Sequence, residues 1–161
     1  MSGTMRTALM NRNVTALALT SAFAALLAIA PAIDSQAADA SNPTVQARMD
    51  LMKTIGAQTK ILGDMAKGAT AFDADAAQAA ADTMAKAALE IPAKFEPQED
   101  DPASEAKPII WTQWDDFTSK AMDLETAATA AAGSITDQAS IGPAMGQIGG
   151  ACKACHSVYR K

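Results

Sequence analysis

The chain is 161 residues long, with a formal net charge of −5, 49% hydrophobic residues and only 4% aromatic ones. An acidic chain without a basic run has no electrostatic footprint for nucleic acid, which excludes that class of partner. Two cysteines and one histidine are its whole stock of soft metal ligands, too few for a closed four-ligand zinc site.

The first stretch carries Arg6 and Arg12, no acid before Asp34, and an apolar run from Val14 to Ala30 broken only by Thr15, Thr20 and Ser21. Ser35-Gln36-Ala37 follows as a small-residue cleavage triplet. This order, basic then apolar then small, predicts a secretory signal peptide over 1–37 and a mature domain over 38–161. The run is short of the about 20 apolar residues that a bilayer-spanning helix needs, so cleavage is expected rather than anchoring in a membrane. Cleavage leaves 11 basic and 17 acidic side chains, a net charge of −6. Export places the domain in a periplasm or outside the cell, where thiols become oxidised unless occupied.

Four alanine-rich segments with helical spacing follow. The first opens at Ser41-Asn42-Pro43, a polar cap ahead of proline at the first helical position, and runs to Lys67-Gly68. Its apolar stripe is Val45, Arg48, Met52 and Ile55, and Ile61, Leu62 and Met65 widen that face. The second starts at Asp73 and runs to Pro92. The polar stretch from Glu96 to Lys107, with Pro97, Pro102 and the run EPQEDD, reads as a loop.

The third segment starts around Pro108 and ends at Gly133, with Ile110, Trp114, Phe117, Ala121, Leu124 and Ala128 in steps of four and three. The fourth runs from Ser140 to Tyr159 on Ile141, Met145, Ile148, Cys152 and Cys155. Pro143 either falls in its first turn or kinks it. Four amphipathic helices on short links predict an all-α, antiparallel up-down-up-down four-helix bundle. Its core positions are dominated by alanine, glycine and methionine, which bury little apolar area. Either the helices approach very closely, or a large apolar group fills the interior.

The chain ends in CKACHSVYRK, residues 152–161. A redox dithiol draws its low thiol pKa from the N-terminal end of a helix, and here Cys152 and Cys155 sit in the last turns of one. Haem attachment needs what is present. Two thiols three apart lie on one side of a helix and can form thioethers with two vinyl groups. His156, four residues after Cys152, can reach the iron as an axial ligand. Cys-x-x-Cys-His is the signature of c-type haem attachment. Motif, leader and thin core converge on one covalently bound haem c enclosed by the bundle.

Three stretches, GGACKACHSVYRK at the end, AKPIIW opening the third helix and ARMDLMKTIGAQTKILGDMAKG in the first, carry a resemblance. On them the mature chain resembles the cytochrome c′ family, the class II c-type cytochromes with their low-spin relatives. The resemblance implies that Arg48 stands beside a haem propionate and that Arg160 stands near the proximal face. It implies that Met52 lies over the distal iron face, as a ligand in low-spin relatives and as a shield in cytochrome c′ proper. A homodimer through the first two helices is implied too. Where members often carry a Gly-Thr-Glu-like stretch against a propionate, this chain has DDPASEAKP, and no site is carried over there. Read from the residues alone, Arg48 is a stem on apolar surface with its head in water, and Met52 is a core filler.

With one haem and no evident catalytic base or nucleophile, the chemistry belongs to the iron and no enzymatic activity is expected. Two functions remain. One is single-electron transfer to a redox partner protein. The other is capture of small gases such as nitric oxide or carbon monoxide at an open iron position.

Overall fold

Asn42 starts the first helix as the sequence leads one to expect: its side-chain oxygen accepts from the Thr44 and Val45 amides at 2.9 and 3.2 Å, with Pro43 in the first turn. The fold is described by a computed structural model over residues 39–161, so the expected leader at 1–37 lies outside the described residues. The helices are α1 (Pro43–Ala66), α2 (Ala74–Phe95), α3 (Ile109–Thr112), α4 (Trp114–Ser134) and α5 (Gln138–Tyr159). α1 packs on α2, α2 on α4, α4 on α5, and α5 returns to α1. The four long helices form the expected antiparallel bundle. Among the described residues there is no strand, only an isolated bridge between Ala106 and Arg160.

Gly68 ends α1. Its φ of 71° lies in the left-handed region, where the Gly68 amide returns to Met65 O and the Ala69 amide to Asp64 O. Asp73 caps α2 through the Ala76 amide. The expected stop at Pro92 is corrected: α2 continues through it to Phe95. What holds that last turn lies far off in sequence. Arg48 Nε and Trp111 Nε1 donate to the carbonyls of Lys94 and Phe95 at 2.9 and 2.8 Å, groups that a helix end leaves without partners.

Two further boundaries differ from the sequence reading. The third segment is two helices, broken at Gln113 with φ −123° and ψ 42°. The fourth begins at Gln138 rather than Ser140, because Asp137 and Ser140 form a reciprocal capping box. Pro143 is thereby the sixth residue of α5, past its first turn.

The predicted stripes face inward. Ile110, Phe117, Ala121, Leu124, Ala128, Ile141, Ile148 and Tyr159 are buried. The interior is alanine-rich where α2 meets α4, with Ala77, Ala81, Ala88 and Ala128 fully buried. Glycine is not part of that core: Gly142, Gly146, Gly149 and Gly150 are exposed on the outer side of α5.

Candidate functional site

The last two turns of α5 carry Cys152, Cys155 and His156 into one cavity of about 560 Å³. That is within the range of about 300–1,000 Å³ usual for cofactor sites. The walls are mainly apolar, with Val45 and Ile55 from α1, Ile91 from α2, and Phe117, Ala121 and Leu124 from α4. The thin alanine core and this opening are two parts of one packing: small residues close the bundle along α2 and α4, and space is left between α1, α4 and α5.

The six residues singled out from sequence all line this cavity: Cys152, Cys155 and His156 from α5, Arg160 just after it, and Arg48 and Met52 from α1. Both cysteines are free and half-buried. Burial pushes both thiols above their ordinary pKa, with Lys120 opposing the shift at Cys155. Burial and then Arg160 push His156 below its ordinary value. The histidine is therefore a neutral imidazole with a lone pair to give at neutral pH, and the cysteines are neutral thiols. Among the described residues no three His, Cys, Asp or Glu side chains gather to hold a bare metal ion. A donor set of two thiols and one imidazole along an apolar chamber fits a metal carried by a flat organic group, bonded at its edge and ligated at its centre.

Arg48 is 2% exposed, and its charge is compensated by backbone. Besides Lys94 O, it donates from Nη1 to Glu99 O at 2.8 Å and from Nη2 to Pro97 O. Its guanidinium lies over the rings of Phe95 and Trp111, 5.1 and 5.5 Å from their centroids. Three of its five N–H donors are thus engaged. The two left over belong to a residue that lines the cavity, so its structural role leaves capacity for an anion there.

Sequence reasoning missed four participants. Met49, next to Arg48, also lines the cavity. Lys120 lines it beside Cys155 and pairs with Asp116 at 3.4 Å, while reading as an ordinary outward cation of α4. Glu105 pairs with Arg160 at the cavity edge. Asp101 is 7% exposed and accepts from the Ser41 amide and hydroxyl and from the Asn42 amide, at 2.9, 2.7 and 3.0 Å. It thereby ties the loop after α2 to the start of α1. The loop is thus a strap, with Lys107 N donating to Tyr159 O and Lys161 N to Glu105 O.

Residues 43–160 match the family model described as cytochrome c′. A cytochrome c-556 of Agrobacterium tumefaciens is 43% identical over 122 residues, covering 75% of this chain and 97% of that protein. The structural model of oxidised cytochrome c556 from R. palustris superposes with a TM-score of 0.68 at 30% identity, covering 73% of this chain and 95% of the other. A nitric oxide complex of a cytochrome c′ point mutant from Alcaligenes xylosoxidans does so with a TM-score of 0.64 at 26% identity, covering 76% and 99%.

Proposed function

The chain belongs to the cytochrome c′ family, and we propose that it is a periplasmic single-electron carrier with one haem c. The reading is carried by one observation: Cys152, Cys155, His156 and Met52 line the same apolar cavity, three from α5 and one from α1. Family membership implies covalently bound haem c. Bound there, the haem supplies a one-electron iron couple.

Cys152 and Cys155 would hold it through two thioethers, and the neutral imidazole of His156 would supply the proximal iron ligand. Met52 would offer a thioether as second ligand to the iron, which favours electron transfer over ligand capture. The two spare N–H groups of Arg48 would be available to a haem propionate. The apolar walls from α1 and α4 limit water at the site. The chemistry is assigned to the haem iron, which makes the protein a carrier rather than an enzyme in this reading. The leader over 1–37 is removed on export. Among the described residues no helix is long and apolar enough to cross a membrane.

A second reading is supported by the cytochrome c′ neighbour with nitric oxide bound. If Met52 only shields the iron, the same cavity admits a small gas on that side. Self-association through the outer sides of α1 and α2 fits both readings. Leu62 and Met65 are used inside the bundle, which leaves Ile61 and Leu89, 40% and 55% exposed, as its apolar contacts.

The test begins with the mature protein made in a haem-maturing periplasm. It should keep haem-dependent peroxidase staining on a denaturing gel, and colour extractable into acidified organic solvent would refute the thioethers. The spectrum of the reduced protein should not change on adding carbon monoxide. A full shift with carbon monoxide would move the function to gas binding.

A further inference from the structure

The charges of this acidic chain are unevenly placed. Of the 11 basic side chains after residue 37, Lys107, Lys120, Lys153, Arg160 and Lys161 gather around the C-terminal turns of α5. The acids among them are Glu105, paired with Arg160, and Asp116, paired with Lys120. Counted by side chains, this end carries +3, while the other side chains after residue 37 sum to −9.

The contacts make it one surface. Lys153 and Ser157, and Ala154 and Val158, are exposed pairs four apart on the outer side of α5. Lys107 Nζ donates to Val158 O at 3.1 Å, which brings the start of α3 alongside, and Lys161 Nζ donates to Ser104 O at 2.8 Å. At the centre lie Val158 and Ile109, 37% and 39% exposed, two of the four exposed large hydrophobic residues among those described. An apolar centre within a charged rim is the anatomy of a transient protein interface. It adjoins the haem motif: Cys152, Cys155 and His156 line the cavity, and Lys153, Ala154, Ser157 and part of His156 are exposed. A partner seated here is separated from the cavity by one helix.

We propose that this face, centred on Val158 and Ile109 and rimmed by Lys107, Lys153 and Lys161, is the docking surface for a redox partner protein with a carboxylate-rich contact patch. The proposal rests on the electron-carrier reading, and charge complementarity selects the partner. A net charge of −6 alone would repel an acidic protein; the local field reverses that at this face.

The test uses the reduced holoprotein and hexacyanoferrate(III), a small anionic oxidant that takes one electron from the protein and becomes hexacyanoferrate(II). The second-order rate constant should fall, by about tenfold, as ionic strength rises from about 10 to 200 mM, since opposite charges are being screened. The variant with Lys153→Glu and Lys161→Glu should reverse that slope. Separately, an eight-residue glutamate peptide added to isotope-labelled holoprotein should shift the amide resonances of residues 107–109 and 153–161, and salt should abolish the shifts. A wild-type rate that rises with salt, or peptide shifts elsewhere or absent, would overturn the surface while leaving electron transfer intact. Peptide shifts at this face without any reaction with hexacyanoferrate(III) would instead overturn the electron-carrier reading, and the redox partner with it.

Discussion

Tyr159 Oη donates to Asp116 Oδ2 at 2.6 Å, joining the end of α5 to the start of α4 three residues beyond His156. The ring is 3% exposed and meets Phe117 edge-on, 5.3 Å between centroids at 88°. Burial first, and then the Asp116 carboxylate, push the phenol from its ordinary value of 10.0 up to about 12. The same hydrogen bond lowers Asp116. A folded-state pKa raised above the unfolded one gives stability that is fully present below pH 10 and is lost as pH rises towards 12. Denaturant unfolding of the holoprotein between pH 8 and 12 should show this alkaline loss, and Tyr159→Phe should remove most of it. An unchanged pH slope in the variant would mean that the phenol is not the titrating group.

Arg48 is expected to matter for stability as well as for the cofactor. Lysine at this place keeps the charge but not the planar fork, so it cannot serve the carbonyls of Lys94, Pro97 and Glu99 together. Arg48→Lys should lower the unfolding free energy by about 2 kcal/mol, the order expected for buried acceptors left without donors. Amide exchange should quicken in residues 94–101, where those carbonyls and the strap are held. A shifted haem reduction potential with unchanged exchange would show that Arg48 serves the cofactor alone.

Two glycines should respond in opposite directions. Gly146 is exposed in the middle of α5, and a methyl group there meets nothing within 4 Å. Gly146→Ala should stabilise by about 0.5–1 kcal/mol, because alanine gives up less backbone entropy in a helix. Gly68 meets equally open space, but its φ of 71° disfavours any side chain. Gly68→Ala should destabilise by about 1 kcal/mol. Urea unfolding of both holoproteins checks the pair, and equal signs would count against the helix ends described above.

Without haem the bundle should lose its fixed packing. At roughly 24 cal/mol per Å³, an empty cavity of about 560 Å³ would cost about 13 kcal/mol, an upper bound because part of it opens to solvent. That equals the whole stability of a typical domain, about 5–15 kcal/mol. Cys152→Ala with Cys155→Ala, produced without haem, should keep helical far-ultraviolet circular dichroism and lose the near-ultraviolet signal of Trp111, Trp114 and Tyr159. A native near-ultraviolet spectrum would show that the alanine-rich α2–α4 contact suffices alone.

What could be read in the sequence was what repeats or caps locally. The stripe from Ile110 to Ala128, the Asn42 cap and the Gly68 stop each lie within a few residues of the signal that announces them. The cysteine and histidine spacing likewise names its own chemistry. What could not be read depends on contacts between distant segments. Asp101 meets Ser41 across 60 residues and Glu105 meets Arg160 across 55, and neither leaves a periodic trace. The prediction that α2 stops at Pro92 failed for the same reason, since Arg48 and Trp111 hold the extra turn from other helices. Glycine was expected inside, and on α5 it lies outside, because four exposed glycines fall between the Ile141, Ile148 and Cys152 positions of the stripe.

The last prediction concerns Met52, half-buried on α1 one turn after Arg48 and lining the cavity with His156. Arg48 is held by three backbone carbonyls and two aromatic rings, so this part of α1 has little freedom to slide. A methionine carried on so fixed a turn can serve as a ligand without ordering a flexible segment, and its thioether would raise the reduction potential. Met49 lines the same cavity three residues earlier and is the internal control. The oxidised holoprotein should show the near-infrared sulfur-to-iron charge-transfer band of histidine–methionine ligation. Met52→Ala should abolish that band, make the iron high-spin and open it to carbon monoxide, and Met49→Ala should retain all three properties. A wild type that lacks the band and already binds carbon monoxide would make Met52 a shield, and the gas-binding reading would replace electron transfer. Loss of the band in Met49→Ala but not in Met52→Ala would move the ligand one turn back along α1.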